Sequence, residues 1–215
     1  MAANLTRDEA RDRAALISGV SYQVELDLTG GDTTFRSVSK VRFDSAQPGA
    51  GTFLNIAAPE VRGITLNGTA INPDDAFDGE RVTVDGLAAR NELIIDAECG
   101  YSRSGEGLHR FTDPADGNVY MYSDLETFDA HRIYACFDQP DLKATYELTA
   151  LAPEGWLVVS NMAADVDGGV EVEGKPGARM WHFPATPVMS TYITHVSAAM
   201  LETTSQPSGA RAVSS

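Results

Sequence analysis

From residue 22 the chain changes character with every step. Tyr22, Val24, Leu26 and Leu28 are apolar, while Gln23, Glu25 and Asp27 between them are polar, which is the period-two signature of a strand with one buried face. Gly30, Gly31 and Asp32 then interrupt the run, and alternation resumes from Phe35 to Phe43, with Val38 and Val41 among the apolar positions. Two alternating runs around a Gly-Gly turn predict a β-hairpin. Similar short runs predict strands over 52–56, 60–66, 81–84, 92–98, 144–152, 155–160, 169–172, 179–183 and 189–196, with Asn67-Gly68 marking a tight turn. Only the start of the chain reads as a helix of any length. Thr6 is placed to cap it, Asp8 and Glu9 occupy its first turn where carboxylates favour the positive helix end, and it runs to Ile17 and stops near Gly19. About ten strands with no helices interleaved predict an all-β fold, antiparallel sheets packed as a sandwich or an open barrel, with a short N-terminal helix.

Composition narrows the picture. The 215 residues carry 16 Lys and Arg against 31 Asp and Glu, a formal charge of −15. Such a surface repels phosphate backbones and anionic lipid, so neither nucleic acid nor a membrane surface is expected as a partner; solubility accounts for the charge, and an acidic mouth would also draw in cationic ligands such as free amino termini. No apolar run approaches the ~20 residues of a membrane span. The first ten residues are charged rather than apolar, unlike a secretory signal. Cys99 and Cys136 suggest no pairing framework, so a cytoplasmic location is the expectation. Residues 201–215 are mostly Ser, Thr, Ala and Gly with one Pro, too poor in large apolar groups to fold, and read as a disordered tail after one domain over 1–200.

The search for chemistry returns little. There is no His-Glu-x-x-His pair of helical ligands, no phosphate-binding loop (Ser104-Gly-Glu-Gly107 lacks the lysine) and no nucleophile elbow. His109, His131, His182 and His195 are scattered without carboxylates at ligand spacing, so no metal site is expected within the chain, and no catalytic residue. Cys136, between Ala135 and Phe137, reads as a buried core thiol, and Trp156 and Trp181 read as core. The segment 120–148 stands apart: polar, aromatic and loop-like at first, then an alternating strand, as a sheet presents chemistry at its rim. Within it, Glu126 precedes a short helical turn over 127–131. Its carboxylate has two open readings, an ion pair with Arg132 or an outward-facing anchor for a cationic ligand.

Residues 107–111, Gly-Leu-His-Arg-Phe, followed by Asp124-Leu-Glu126, Asp129-Ala-His-Arg132 and Tyr134-Ala-Cys-Phe-Asp-Gln-Pro-Asp-Leu-Lys-Ala-Thr-Tyr146, resemble the amino-terminal domain of aminopeptidase N enzymes, zinc-dependent exopeptidases. The likeness extends over roughly residues 5–194 and includes the Met-Ser-Thr-Tyr core of the segment 187–194. It implies a saddle-like all-β sandwich that covers one side of an active site, while zinc and the bond-breaking groups belong to a following catalytic domain whose motifs are not in this sequence. It also implies that Glu126 binds substrate by holding the free α-ammonium of a peptide, a task suited to a charge-assisted hydrogen bond. Asp124 stands where many members have Gln, and His131 where many have Arg, which points to a subfamily. Beyond Thr194 the sequence drifts from the family pattern.

Three expectations follow. The first is the substrate-covering domain of a zinc aminopeptidase, inactive alone, its chemistry supplied by a catalytic polypeptide that is absent or split off. The others are a stand-alone binding module and the relic of a degraded gene. A severed domain is expected to bare an apolar face larger than a few hundred Å² between the rim segment and the last strand.

Overall fold

A computed structural model of the chain describes residues 4–200; the tail expected over 201–215 lies outside the described residues. Helix α1 (Arg7–Leu16) begins at Thr6, whose hydroxyl accepts from the Glu9 amide while the Glu9 carboxylate accepts from the Thr6 amide, a reciprocal capping box. The helix ends one turn before the glycine expected to stop it. Gly19, at φ +61°, instead lies where the register slips between Ser18 and Ser21 within the first strand, β1 (Ile17–Asp27). A left-handed residue is tolerated there at no side-chain cost, and it bulges the strand rather than capping the helix.

The remaining strands, in order, are β2 (Thr34–Ser45), β3 (Thr52–Asn55), β4 (Glu60–Leu66), β5 (Thr69–Ile71), β6 (Arg81–Val84), β7 (Arg90–Gly100), β8 (Gly107–Thr112), β9 (Val119–Asp124), β10 (Thr145–Pro153), β11 (Trp156–Ser160), β12 (Val170–Glu171), β13 (Ala178–Phe183) and β14 (Val196–Met200). A four-residue helix, α2 (Pro73–Ala76), follows β5. The strands form an eight-stranded sheet in the order β12-β13-β10-β1-β2-β7-β4-β5, a four-stranded sheet β11-β14-β9-β8 and the pair β3-β6. The fold is therefore all-β and largely antiparallel, as the alternation predicts, and the open-barrel alternative is not realised. One pair departs: β1 and β10 run parallel, Tyr22 beside Tyr146. More than a hundred residues separate these strands, so no hairpin constrains their direction.

The two larger sheets face each other across a crevice lined by Val24, Leu26, Tyr146 and Phe183 on one side and Ser123 and Val196 on the other. The stacked rings of Tyr22 and Tyr146, 4.8 Å apart, form part of the adjoining core. In β2 the inward positions are Phe35, Ser37, Ser39, Val41 and Phe43, and Val38 turns outward. Ser39 is buried because its hydroxyl accepts the Ala135 amide at 2.9 Å; the small side chain lets the segment after the rim lie against the sheet. The strand expected over 189–196 is a 3₁₀ turn (Thr191–Ile193) followed by β14. Ser190 donates to the Pro140 carbonyl and Thr191 to the Asp138 carboxylate, and these hydroxyl bonds hold the backbone out of a ladder.

Candidate functional site

Glu126 sits in a short connection whose two ends are pinned. On one side β9 delivers Leu125, buried at the edge of the core. On the other, a 3₁₀ turn (Ala130–Arg132) begins after Asp129, with Ala130 and Ile133 buried beneath it. The Asp129 amide donates back to the Leu125 carbonyl at 3.3 Å, closing the connection on itself. Glu126 and Thr127 at its crest are exposed, and the peptide bond between them is cis. Asp124, also exposed, ends β9 opposite Gly107. Gly107, at φ +73°, lies so close to Arg132 that an added Cβ would come within 2.8 Å of the arginine's own. Only glycine permits both that backbone angle and that approach.

The ion pair that sequence spacing offered Glu126 does not form. Arg132 turns to Asp129, its Nε donating to the Asp129 carboxylate. Among the described residues no hydrogen bond or salt bridge engages the Glu126 carboxylate. The far end of its loop is tied down as well: the His131 carbonyl accepts the Ala57 amide at 2.8 Å, and the His131 ring and amide both reach Asp138. The arrangement is a solvent-facing anion on a crest braced at both feet. Such a group can accept a directed hydrogen bond from a cation.

The conspicuous stretch from Tyr134 to Tyr146 turns inward. Cys136 has no accessible surface and exchanges backbone hydrogen bonds with Asn55 of β3 in both directions. Phe137 donates its amide to the Tyr22 hydroxyl. Asp138, fully buried, accepts from the His131 amide (3.1 Å), faces His131 Nδ1 (2.8 Å) and accepts from Thr191 (2.8 Å). Gln139 accepts from Arg13 Nε at 3.0 Å and donates to the Ala10 carbonyl at 2.8 Å. Arg13 is itself buried, 4.7 Å above the Phe53 ring and donating to Asn55. This stretch ties the helix, β3 and the 190s turn into one knot, and its buried acid and amide, Asp138 and Gln139, are consumed by that work. Arg13 was invisible in the sequence, since an arginine in the last turn of a helix ordinarily faces water, and its partners Asn55 and Gln139 lie 42 and 126 residues away.

Among the described residues no group of three His, Cys, Asp or Glu could hold a metal ion. His131 is spent on Asp138, His182 lies between Asp165 and Glu147, and His195 bonds Ser123 and Ser197. The side chains described here therefore offer no ligand set for zinc. Cys99 and Cys136 are free and buried, and burial pushes the Cys99 thiol up to about 12 and the Cys136 thiol well above its ordinary value, the nearby Asp138 carboxylate adding to the effect. Neither is a poised nucleophile.

A family model described as the peptidase M1 N-terminal domain matches residues 19–193. The chain is 45% identical over 194 residues to aminopeptidase N of Streptomyces lividans, an alignment that covers 89% of this chain and 22% of that protein. It is 34% identical over 110 residues to the alanine/arginine aminopeptidase of Saccharomyces cerevisiae, covering 50% of this chain and 12% of the relative. With aminopeptidase N of Bos taurus it shares 35% identity over 90 residues, 40% of this chain and 9% of the relative. In each case the chain spans less than a quarter of the relative's length.

Proposed function

The chain belongs to the peptidase M1 N-terminal domain family, and on that premise we propose that it forms the wall of an aminopeptidase active site that receives the free amino terminus of a peptide, with Glu126 holding the α-ammonium group. The observation that carries this reading is the Glu126 carboxylate, exposed on a crest braced at both ends and without an intramolecular partner among the described residues. An unpaired anion in a fixed place loses little rotational freedom on binding and gains a charge-assisted hydrogen bond. Endopeptidase cleavage is disfavoured by the same geometry, since an internal peptide segment brings no cation to satisfy the carboxylate.

Hydrolysis is assigned to polypeptide outside this chain. There, zinc would activate the attacking water and polarise the scissile carbonyl; the contribution of this chain is to position the substrate so that its first peptide bond meets that machinery. We place the protein in the cytoplasm, a reducing compartment suited to two free, buried cysteines, and in the breakdown of peptides.

The test is a chimera in which this chain replaces the matched region of the Streptomyces lividans aminopeptidase N. The chimera is expected to release an aminoacyl anilide, and Glu126→Ala is expected to lower kcat/KM by roughly 10–100-fold, the worth of one hydrogen bond to a charged group. An N-acetylated substrate, which has no α-ammonium, should be hydrolysed equally poorly by both. Unchanged kcat/KM in Glu126→Ala would remove the anchor. The chain alone, supplied with zinc, should show no turnover; activity that survives repurification and Glu126→Ala would overturn the division of labour.

A further inference from the structure

The Glu126 crest carries a competitor for its own carboxylate. Arg132, further along the same connection, is exposed, and among the described residues only its Nε is engaged, donating to the Asp129 carboxylate. Its aliphatic stem lies along the bare α-carbon of Gly107, where an added Cβ would fall 2.8 Å from the arginine's Cβ and 3.1 Å from its Cδ. Gly107 in turn stands directly opposite Asp124 in the β8-β9 ladder, and opposed α-carbons are about 4.5–5.5 Å apart. One strand spacing therefore separates the seat of Arg132 from Asp124, and Leu125 alone lies between Asp124 and Glu126. Both carboxylates are exposed, and among the described residues neither has a hydrogen bond or ion pair. A long, flexible cation placed beside them would neutralise the crest if nothing else held it. Asp129 holds it, and the Asp129 amide, bonded back to the Leu125 carbonyl at 3.3 Å, fixes where that acid stands.

We propose that Asp129 and Gly107 are positioning residues for substrate binding: the acid pairs with Arg132 and the glycine makes room for its stem, so that the arginine is kept off Glu126 and the anchor stays open to an incoming ammonium group. The inference rests on the function proposed above and adds to it the reason an arginine can sit beside the anchor without blocking it. The chemistry is competition. A carboxylate paired with a neighbouring guanidinium must give up that pair before it accepts from a free amine, so the apparent affinity for the amine falls with the fraction of molecules in which the carboxylate is open. For one exposed ion pair that is a factor of about two to five, and the seat removes it. The α-ammonium is held before and during hydrolysis alike, so the factor is read in KM and not in kcat. If Asp129 is taken away, Arg132 has two landing places besides Glu126. These are Asp124 and Glu106, the latter next to Gly107 and lining one cleft with Arg132.

Two measurements test it. The first uses this chain and no substrate. The guanidinium N–H groups of Arg132, followed by NMR, should exchange with water more slowly than those of a free arginine, because one of them is hydrogen-bonded. In Asp129→Ala that protection should persist, now through Glu126. It should vanish when Glu126→Ala is added and survive when Glu106→Ala or Asp124→Ala is added instead. The second uses the chimera. Asp129→Ala should raise KM for an aminoacyl anilide about two- to fivefold at unchanged kcat, and adding Arg132→Gln should return KM to its starting value, a rescue that a merely structural role for Asp129 would not allow. Asp129→Asn, which keeps the shape of the side chain, should shift KM in the same direction, so the result does not depend on how the alanine variant folds. A KM that stays raised after Arg132→Gln, or protection in Asp129→Ala that depends on Glu106 or Asp124, would overturn the proposal. Unchanged KM in Asp129→Ala also overturns it, in one of two ways. Where Glu126→Ala still lowers affinity, the seat fails and the anchor stands; where Glu126→Ala is equally without effect, the anchor itself fails.

Discussion

At the scale of single residues, Asp138 and Glu126 show how burial and pairing divide the acids of one segment. Asp138 is an acid between Phe137 and Gln139, in the stretch that carries the family resemblance. In the fold it has no accessible surface and serves His131 and Thr191. Asp138→Ala would leave the His131 amide and ring and the Thr191 hydroxyl without their acceptor, and a buried network broken on one side costs about 3–5 kcal/mol. The expected outcome is a urea midpoint lowered by that free energy divided by the denaturant slope, with the slope itself unchanged. Glu126 shows the opposite behaviour: its sequence neighbours are bland, and its interest arises because Arg132, the cation spaced to neutralise it, is taken by Asp129. That outcome was open in the sequence. Two acids lay within reach of one arginine, and the turn geometry chose between them.

Among the elements, the connection between β11 and β13 is tied to the large sheet by β12, by Arg179 and by a histidine clamp that responds to pH. His182 of β13 reaches Asp165 through Nδ1 and Glu147 of β10 through Nε2, and the Asp165 amide donates to the His182 carbonyl. Hydrogen bonds to Glu147 and then Asp165 raise the His182 pKa above its ordinary 6.5, while His182, followed by Gln23, holds Glu147 below its ordinary 4.5. The raised histidine stabilises the fold fully below pH 6.5, and that contribution fades as pH climbs through the raised value. The lowered glutamate contributes fully above pH 4.5 and fades as pH falls through the lowered one. The clamp is thus strongest between pH 4.5 and 6.5. The difference in melting temperature between the wild-type chain and His182→Gln should be largest in that window and shrink toward alkaline pH. Exposure of the histidine and screening by salt keep the effect modest. A profile that is flat across pH 5 to 9, or that grows toward high pH, would contradict this account.

For the whole molecule, the two sheets and the β3-β6 pair enclose one connected core to which both thiols belong. A thiol reagent in excess is expected to find neither cysteine in the native protein and both after unfolding, because the thiolate is the reactive form and burial raises both thiols. The rate of reaction under native conditions should follow the opening of the core and fall into line with hydrogen exchange of β1 and β10. Rapid labelling of Cys136 in the folded chain would mean that the knot around Asp138 opens by itself. The same architecture gives the molecule two unlike outer faces, one crossed by ion pairs such as Arg36 with Asp96 and one carrying the stacked rings of Phe111 and Tyr120, and that asymmetry is legible only when strands far apart in the chain are laid side by side.

The sequence by itself determined the class of structure and most of its elements. Alternation is a local property, and one buried face per strand suffices to announce a strand, so β4 and β6 fall on the residues expected of them, and the Thr6 capping box is written within four positions. The Asn67-Gly68 turn is equally local, both residues taking the positive φ that a two-residue hairpin loop demands. What only the tertiary structure decided is everything that depends on a partner distant along the chain. That includes the parallel pairing of β1 with β10, the burial of Arg13 and of Ser39, the loss of a strand to the Ser190 and Thr191 hydroxyl bonds, and the release of Glu126 from Arg132. Periodicity reports which side of an element meets the core. It carries no record of which residue is waiting on the other side.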